Sequence, residues 1–231
     1  MRKWIIFALS LYVCFSITSI NAQGFTVNVD VVSSYIWRGI KQGSNEPNIQ
    51  PAVAYTSGCL TLGATGSGNF SGSLKEVDSY ATVALSPLFS LTLNDYNWIF
   101  TPGRSYFNYH KRETDHILEG SFAYAGIESF PLSVAVNTAF YGADKKAGGS
   151  QAFSTYVELN YPIAPTAKAF LGASLIDSPQ LYNNSRFAIT NVGIRLNKSI
   201  VLTDKFSLPI YGILGANLNT EDVFFVAGIS F

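Results

Sequence analysis

The chain has 231 residues, with 15 Lys and Arg balanced by 15 Asp and Glu, so its formal net charge is zero. Charged residues make up 13% of it and aromatic residues 14%, where a soluble domain averages about 25% charged. The charge balance argues against nucleic acid as a partner, and the low charge argues against an ordinary soluble surface.

Residues 1–22 read as a secretory signal peptide. Arg2 and Lys3 form a basic start, Trp4 to Ile20 an apolar stretch, and Ile20-Asn21-Ala22 a cleavage site ahead of Gln23. A retained membrane helix fits less well. Ser10, Ser16, Thr18 and Ser19 interrupt the stretch, which falls short of the roughly 20 apolar residues a span needs. Val13 before Cys14 is not the small residue that a lipidation site wants. With the leader removed, Cys59 is the remaining cysteine, so neither an intramolecular disulfide nor a thiolate zinc spacing is available.

From Phe25 the pattern has a period of two. In FTVNVDVVSSYIWRG, Phe25, Val27, Val29, Val31, Tyr35 and Trp37 share one face of a strand, while Thr26, Asn28, Asp30 and Arg38 share the other. Tyr35 and Trp37 are expected to form an aromatic anchor at its far end, with Arg38-Gly39 opening a loop. Further alternating runs follow at about 47–57, 59–69, 75–86, 88–98, 115–126, 131–141, 152–162, 166–177, 186–199, 205–218 and 222–231, separated by Gly and Pro punctuation. The last run, EDVFFVAGISF, puts Val223, Phe225, Ala227, Ile229 and Phe231 on one apolar face. No linker, charge block or fixed-period repeat divides these runs, so one domain over 23–231 is expected.

The connections sort by length. SG at 57–58, SP at 86–87 and PIAP at 162–165 are tight, whereas the segments around 39–46, 99–114 and 142–151 are long, and SIVLTD is read as the connection before the final hairpin. Short turns alternating with long loops, low charge, an export signal and aromatic-ended strands together predict a closed antiparallel transmembrane β-barrel of about 12 strands, because a closed sheet is the non-helical way to satisfy backbone groups in hydrocarbon. Its setting would be the bacterial outer membrane. The C-terminal strand ending in Phe231 would be the handle for the barrel-assembly machinery.

The stretches SYIWRGIKQGSNEPNIQPAVAY, LTLGATGSGNF and KEVDSYATVAL resemble the TorF family of outer-membrane porins. That family's pattern runs Ser-Tyr-x-x-Arg-Gly, then Gln, a small residue and Pro, and later a Glu-Val-Asp strand. The match covers Val31 to Leu85, with Tyr35, Arg38, Gly39, Gln42, Pro47, Glu76 and Asp78 on matching positions, and Tyr156-Val157-Glu158 matches more weakly. The resemblance implies an outer-membrane barrel and assigns no functional residues.

Catalytic patterns are not found. The mature chain offers His110 and His116, neither beside a Ser on its strand face, and the phosphate-loop, nucleophile-elbow and metalloprotease signatures are missing. No enzyme and no cofactor or metal are therefore expected. What remains is the inward face, where the register places Asp30, Asp78, Glu119, Glu158, Lys168 and Arg195 together with Asn28, Thr92, Asn94, Asn160, Asn191 and Asn197. A tight PIAP hairpin would set Asn160 opposite Lys168, and the simplest next register would set Arg195 opposite Lys168, with Glu158 joining both cations. The expected function is a narrow passive channel for small solutes. The alternatives are a non-conducting barrel that binds a ligand or partner through its external loops, and a soluble β-sandwich binder.

Overall fold

The computed structural model describes residues 23–98 and 100–231; the expected leader, residues 1–22, lies outside them. Its strands are β1 (Gln23–Val32), β2 (Ile36–Trp37), β3 (Ile40–Lys41), β4 (Asn48–Ser57), β5 (Leu60–Asn69), β6 (Lys75–Ala84), β7 (Phe89–Tyr96), β8 (Ile117–Tyr124), β9 (Ser133–Gly142), β10 (Thr155–Ala164), β11 (Ala167–Ser174), β12 (Ala188–Thr203), β13 (Phe206–Asn217) and β14 (Asp222–Ser230). Twelve of them, β1 and β4 to β14, close into one antiparallel barrel, with each strand beside its sequence neighbours and β1 against β14. No helix among the described residues is long and apolar enough to cross a membrane.

Closure is staggered. β1 meets β14 through Asp30↔Ser230, Val31↔Ile229 and Val32↔Gly228, and the amides and carbonyls of Val29 and Phe231 exchange hydrogen bonds at 3.0 and 3.2 Å. The alternation that sets the register also sets an unusual polarity. Val223 and Phe225 are 71% and 66% exposed, while Phe224 and Val226 between them are 6% and 3% exposed. Phe25, Val27, Val53, Leu62, Leu91, Leu93 and Phe122 face outward in the same way, whereas Asn48, Glu76, Glu119, Asn137 and Thr190 are buried. The connections segregate as expected: two-residue turns such as Gly58-Cys59, Pro165-Thr166 and Asp204-Lys205 lie at one end, and the long segments 97–116, 143–154 and 175–187 lie at the other.

Three local expectations are corrected. The first strand does not run on to Trp37. It stops at Val32, and residues 36–41 form the separate β2–β3 hairpin, because Arg38 and Gly39 at φ 50° and 82° reverse the chain in the primed turn that suits a two-residue hairpin. Second, SIVLTD is not a connection. Ser199, Ile200 and Val201 pair with Pro209, Leu208 and Ser207, and the chain turns only at Asp204-Lys205, since Ile200, Val201 and Leu202 continue a β-branched, apolar strand pattern. Third, Lys168 lies opposite Pro162, not Asn160, which pairs with Phe170. The turn contracts to Pro165-Thr166 and the register slips at a bulge between Pro162 and Ala164.

Candidate functional site

The β2–β3 hairpin carries the most constrained chemistry in the molecule. Ile36 pairs with Lys41 and Trp37 with Ile40, so the turn thrusts Arg38 into the barrel. Gly39 permits the approach. A Cβ there would sit 1.7 Å from the Thr190 carbonyl oxygen of β12, and the Asn217 Nδ2 donates to the Gly39 carbonyl at 3.2 Å.

Arg38 then meets Glu119 of β8. Its Nη1 donates to Oε2 at 2.6 Å and its Nη2 to Oε1 at 2.8 Å, the bidentate geometry that matches a guanidinium to a carboxylate. Nη1 also lies 2.7 Å from the Tyr182 hydroxyl, and Tyr96 donates its hydroxyl to Glu119 Oε1 at 3.1 Å. The guanidinium carbon stands 4.5 Å from the Trp37 ring centroid and 4.8 Å from that of Tyr156, where the ring faces attract a cation. Trp37, Tyr182 and Tyr156 form a stack, with centroids 5.6 and 5.4 Å apart and planes inclined by 7° and 13°. Gly172 makes room for it, because a Cβ at that position would lie 1.9 Å from the Tyr156 hydroxyl. Leu181 and Tyr182 arrive from the 175–187 segment, and Ile117 and Ala139 from the barrel wall, to complete a buried interior cluster. The lumen is thus filled near its loop end by a plug of aromatic rings around one ion pair. Trp37 is part of this packing and not an anchor at the barrel's rim, because the primed turn folds it inward. Tyr35 lines an interior cavity.

The other predicted lumen residues fall into two cavities. Asp30 and Asp78 line one of about 260 Å³ with Tyr35 and Glu76. Asp30 accepts from Tyr211 at 3.1 Å and Ser230 at 2.6 Å, and Asp78 accepts the Asn97 amide at 2.9 Å. Glu158, Lys168 and Arg195 line a second of about 210 Å³, bounded by Arg38. The expected network between these three is not formed. Glu158 accepts from the Tyr156 hydroxyl and from Asn160 Nδ2, each at 2.9 Å, and no ion pair among the described residues joins it to Lys168 or Arg195. The physical reason is distance: Glu158 pairs with Gly172, four positions along β11 from Lys168, or about 13 Å at the rise of a strand. Lys168 does lie opposite Arg195.

A second cluster lies under the 97–116 segment. His116, 1% exposed, places Nδ1 2.7 Å from Asp95 Oδ1, meets the Tyr106 carbonyl and Asn97 through Nε2, and stacks on Tyr109 at 4.1 Å. Asp115 ties the same segment down by accepting the Thr101 amide and hydroxyl, each at 2.9 Å, and the Arg104 guanidinium. Burial pushes the Asp115 carboxyl up, but those three donors outweigh it and hold it below the usual aspartate range.

The Arg38–Glu119 pairing was not read from the sequence, where Arg38 began a loop and Glu119 was one charge among six. The local signal is Trp-Arg-Gly-Ile: two residues able to hold positive φ between apolar partners, which is a hairpin pattern. Comparison with protein-family models, with curated proteins and with solved structures finds no match.

Proposed function

We propose that this chain is a bacterial outer-membrane β-barrel that works as a narrow, porin-like passive channel for small solutes, with the β2–β3 hairpin as an internal obstruction that must shift for solutes to pass. The observation that carries the membrane reading is the polarity of the closed barrel, in which Val223 and Phe225 face out at 71% and 66% exposure while Glu119 and Thr190 are buried at 1% and 0%. In water such a surface would form an apolar patch far beyond the few hundred Å² that soluble monomers tolerate. In lipid it lowers the free energy, with every strand hydrogen-bonded on both sides. The leader-like N-terminus, the sorted turns and loops, and the resemblance of Val31 to Leu85 to the TorF porins support the same reading. So does a polar inner wall, whose charged groups would set selectivity by their field. The C-terminal strand is the expected contact for the assembly machinery, and lipid the expected surroundings.

A non-conducting barrel that binds through its loops is favoured by one observation, the complete burial of Tyr182 and Ile117 at 0% and 1% exposure within the plug. Two measurements separate the readings. Folding only in detergent or lipid supports the membrane barrel, and a stable, folded monomer in plain buffer would remove it. In a planar bilayer the channel reading expects small current steps from the native chain and larger ones once the hairpin is released by Gly39→Ala. Silence from both would leave the sealed barrel.

A further inference from the structure

The 210 Å³ cavity holds an arrangement that the plug does not explain. Lys168 of β11 and Arg195 of β12 are direct cross-strand partners, and both side chains line the cavity, together with Glu158, Phe170, Ile213 and the base of the Arg38 hairpin. Like charges set directly opposite repel unless an opposite charge lies between them. Among the described residues none places a carboxylate within ion-pair distance of either cation. Glu158 is held at the far end of the cavity by Tyr156 and Asn160, and Arg195 is occupied sideways by Asn197 Oδ1 at 3.0 Å and by the Tyr211 ring face at 3.8 Å. Lys168 donates to no group among the described residues and forms no ion pair. Asn160, which also borders the cavity, keeps a buried Oδ1 without a partner.

We infer that Lys168 and Arg195 form a binding site for a small anion, a carboxylate or a phosphate, on the lumen wall. The anionic oxygens bridge the ammonium and the guanidinium and cancel their repulsion. Phe170 and Ile213 give an apolar contact for a short carbon skeleton. Glu158 opposes a second negative charge at the other end, so the site selects compact anions with one anionic head. The inference rests on reading the barrel as a passage for solutes, but the site can be tested without any current.

The experiment uses the folded full-length protein in a non-ionic maltoside micelle, titrated with sodium acetate, sodium phosphate or sodium chloride at matched ionic strength, with heat of binding and thermal unfolding as readouts. Saturable binding and a raised midpoint with acetate, phosphate or both, relative to chloride, are expected, and the active arm names the head group. Losing one charge-assisted contact, worth about 1.5–3 kcal/mol, should weaken that binding about tenfold or more in Lys168→Gln. Lys168→Arg should keep the affinity, and Glu158→Gln should tighten it. Without added anion, Lys168→Gln should unfold at a higher temperature than the native chain, because the repulsion is gone. Should Lys168→Gln not fold, Arg195→Gln serves in its place. Identical titrations for all three salts, or equal affinity in the native and Gln variants, would overturn the site. A silent bilayer with intact binding would instead overturn the channel and leave the site standing.

Discussion

Arg38 and Glu119, 81 positions apart in the chain, meet inside the barrel through two hydrogen bonds of 2.6 and 2.8 Å. The pair has little water around it, with side-chain exposures of 12% and 1%. Its desolvation must therefore be offset by geometry, and the Tyr182 and Tyr96 hydroxyls and two aromatic faces complete that geometry. Removing either partner leaves an uncompensated buried charge.

Glu119→Gln and Arg38→Ala should each lower the unfolding free energy by about 3–5 kcal/mol, measured by denaturant unfolding in micelles. Replacing both at once, as Arg38→Met with Glu119→Leu, should recover much of the loss, because no lone charge remains. A double variant no more stable than the singles would show that the pair does more than neutralise itself.

The hairpin should be separable from the barrel. Gly39→Ala places a methyl into the Thr190 carbonyl at a backbone φ of 82°, which strains the turn and presses on β12 only at Thr190, where the β11–β12 register is already interrupted. The variant should keep its folded, heat-modifiable migration while its tryptophan emission shifts to the red, since Trp37 and Trp98 leave each other's company in the plug. An unchanged spectrum would mean that the hairpin tolerates the methyl in place.

Lipid exposure has a signature of its own. Leu93 is 48% exposed on the outer face of β7, while its neighbour Thr92 points inward and bonds Thr82 at 2.8 Å. In water Leu93→Arg would be almost neutral; in a bilayer it should cost about 2–4 kcal/mol near the midplane. Folding into liposomes, followed by denaturant titration, distinguishes the two.

The 97–116 segment should open in acid. Asp115 is held below the ordinary aspartate range by Thr101 and Arg104, so its folded pKa is depressed. The stability it lends is present above the unfolded pKa of about 3.9 and is lost as pH falls through the lower folded value. Proteolysis within residues 101–114 should therefore stay slow at neutral pH and rise below about pH 4. Asp115→Asn should be cleaved readily at all pH values, and a pH response that survived this substitution would belong to another group.

Much of the barrel is legible in one dimension because a strand's side chains alternate strictly, so polarity along the chain reports faces across the wall. Phe25 and Val27 could be assigned outward and Asp30 inward without coordinates. The same rule misled at Tyr35 and Trp37, which continue the alternation in sequence but follow the primed turn at Arg38-Gly39 into the lumen. It also could not place the turn at Pro165-Thr166, which sets Lys168 against Pro162 instead of Asn160, or the bulge between Pro162 and Ala164, because both depend on how two strands relax against each other.

What the sequence by itself determined is the class of object: strands rather than helices, about twelve of them in a closed sheet, apolar on one face, with short turns and long loops mostly in alternation. Apart from the closure, each of those features is a short-range property, set by neighbours two residues apart or by a turn of a few residues. What only the tertiary structure decided is the interior. That Arg38 reaches Glu119 depends on closure around the barrel, and that Glu158 bonds Tyr156 and Asn160 instead of Lys168 depends on the settled β10–β11 register; the Lys168–Arg195 pairing, a matter of adjacent strands, was already legible. Closure brings together residues far apart in the chain, and no local pattern encodes that meeting.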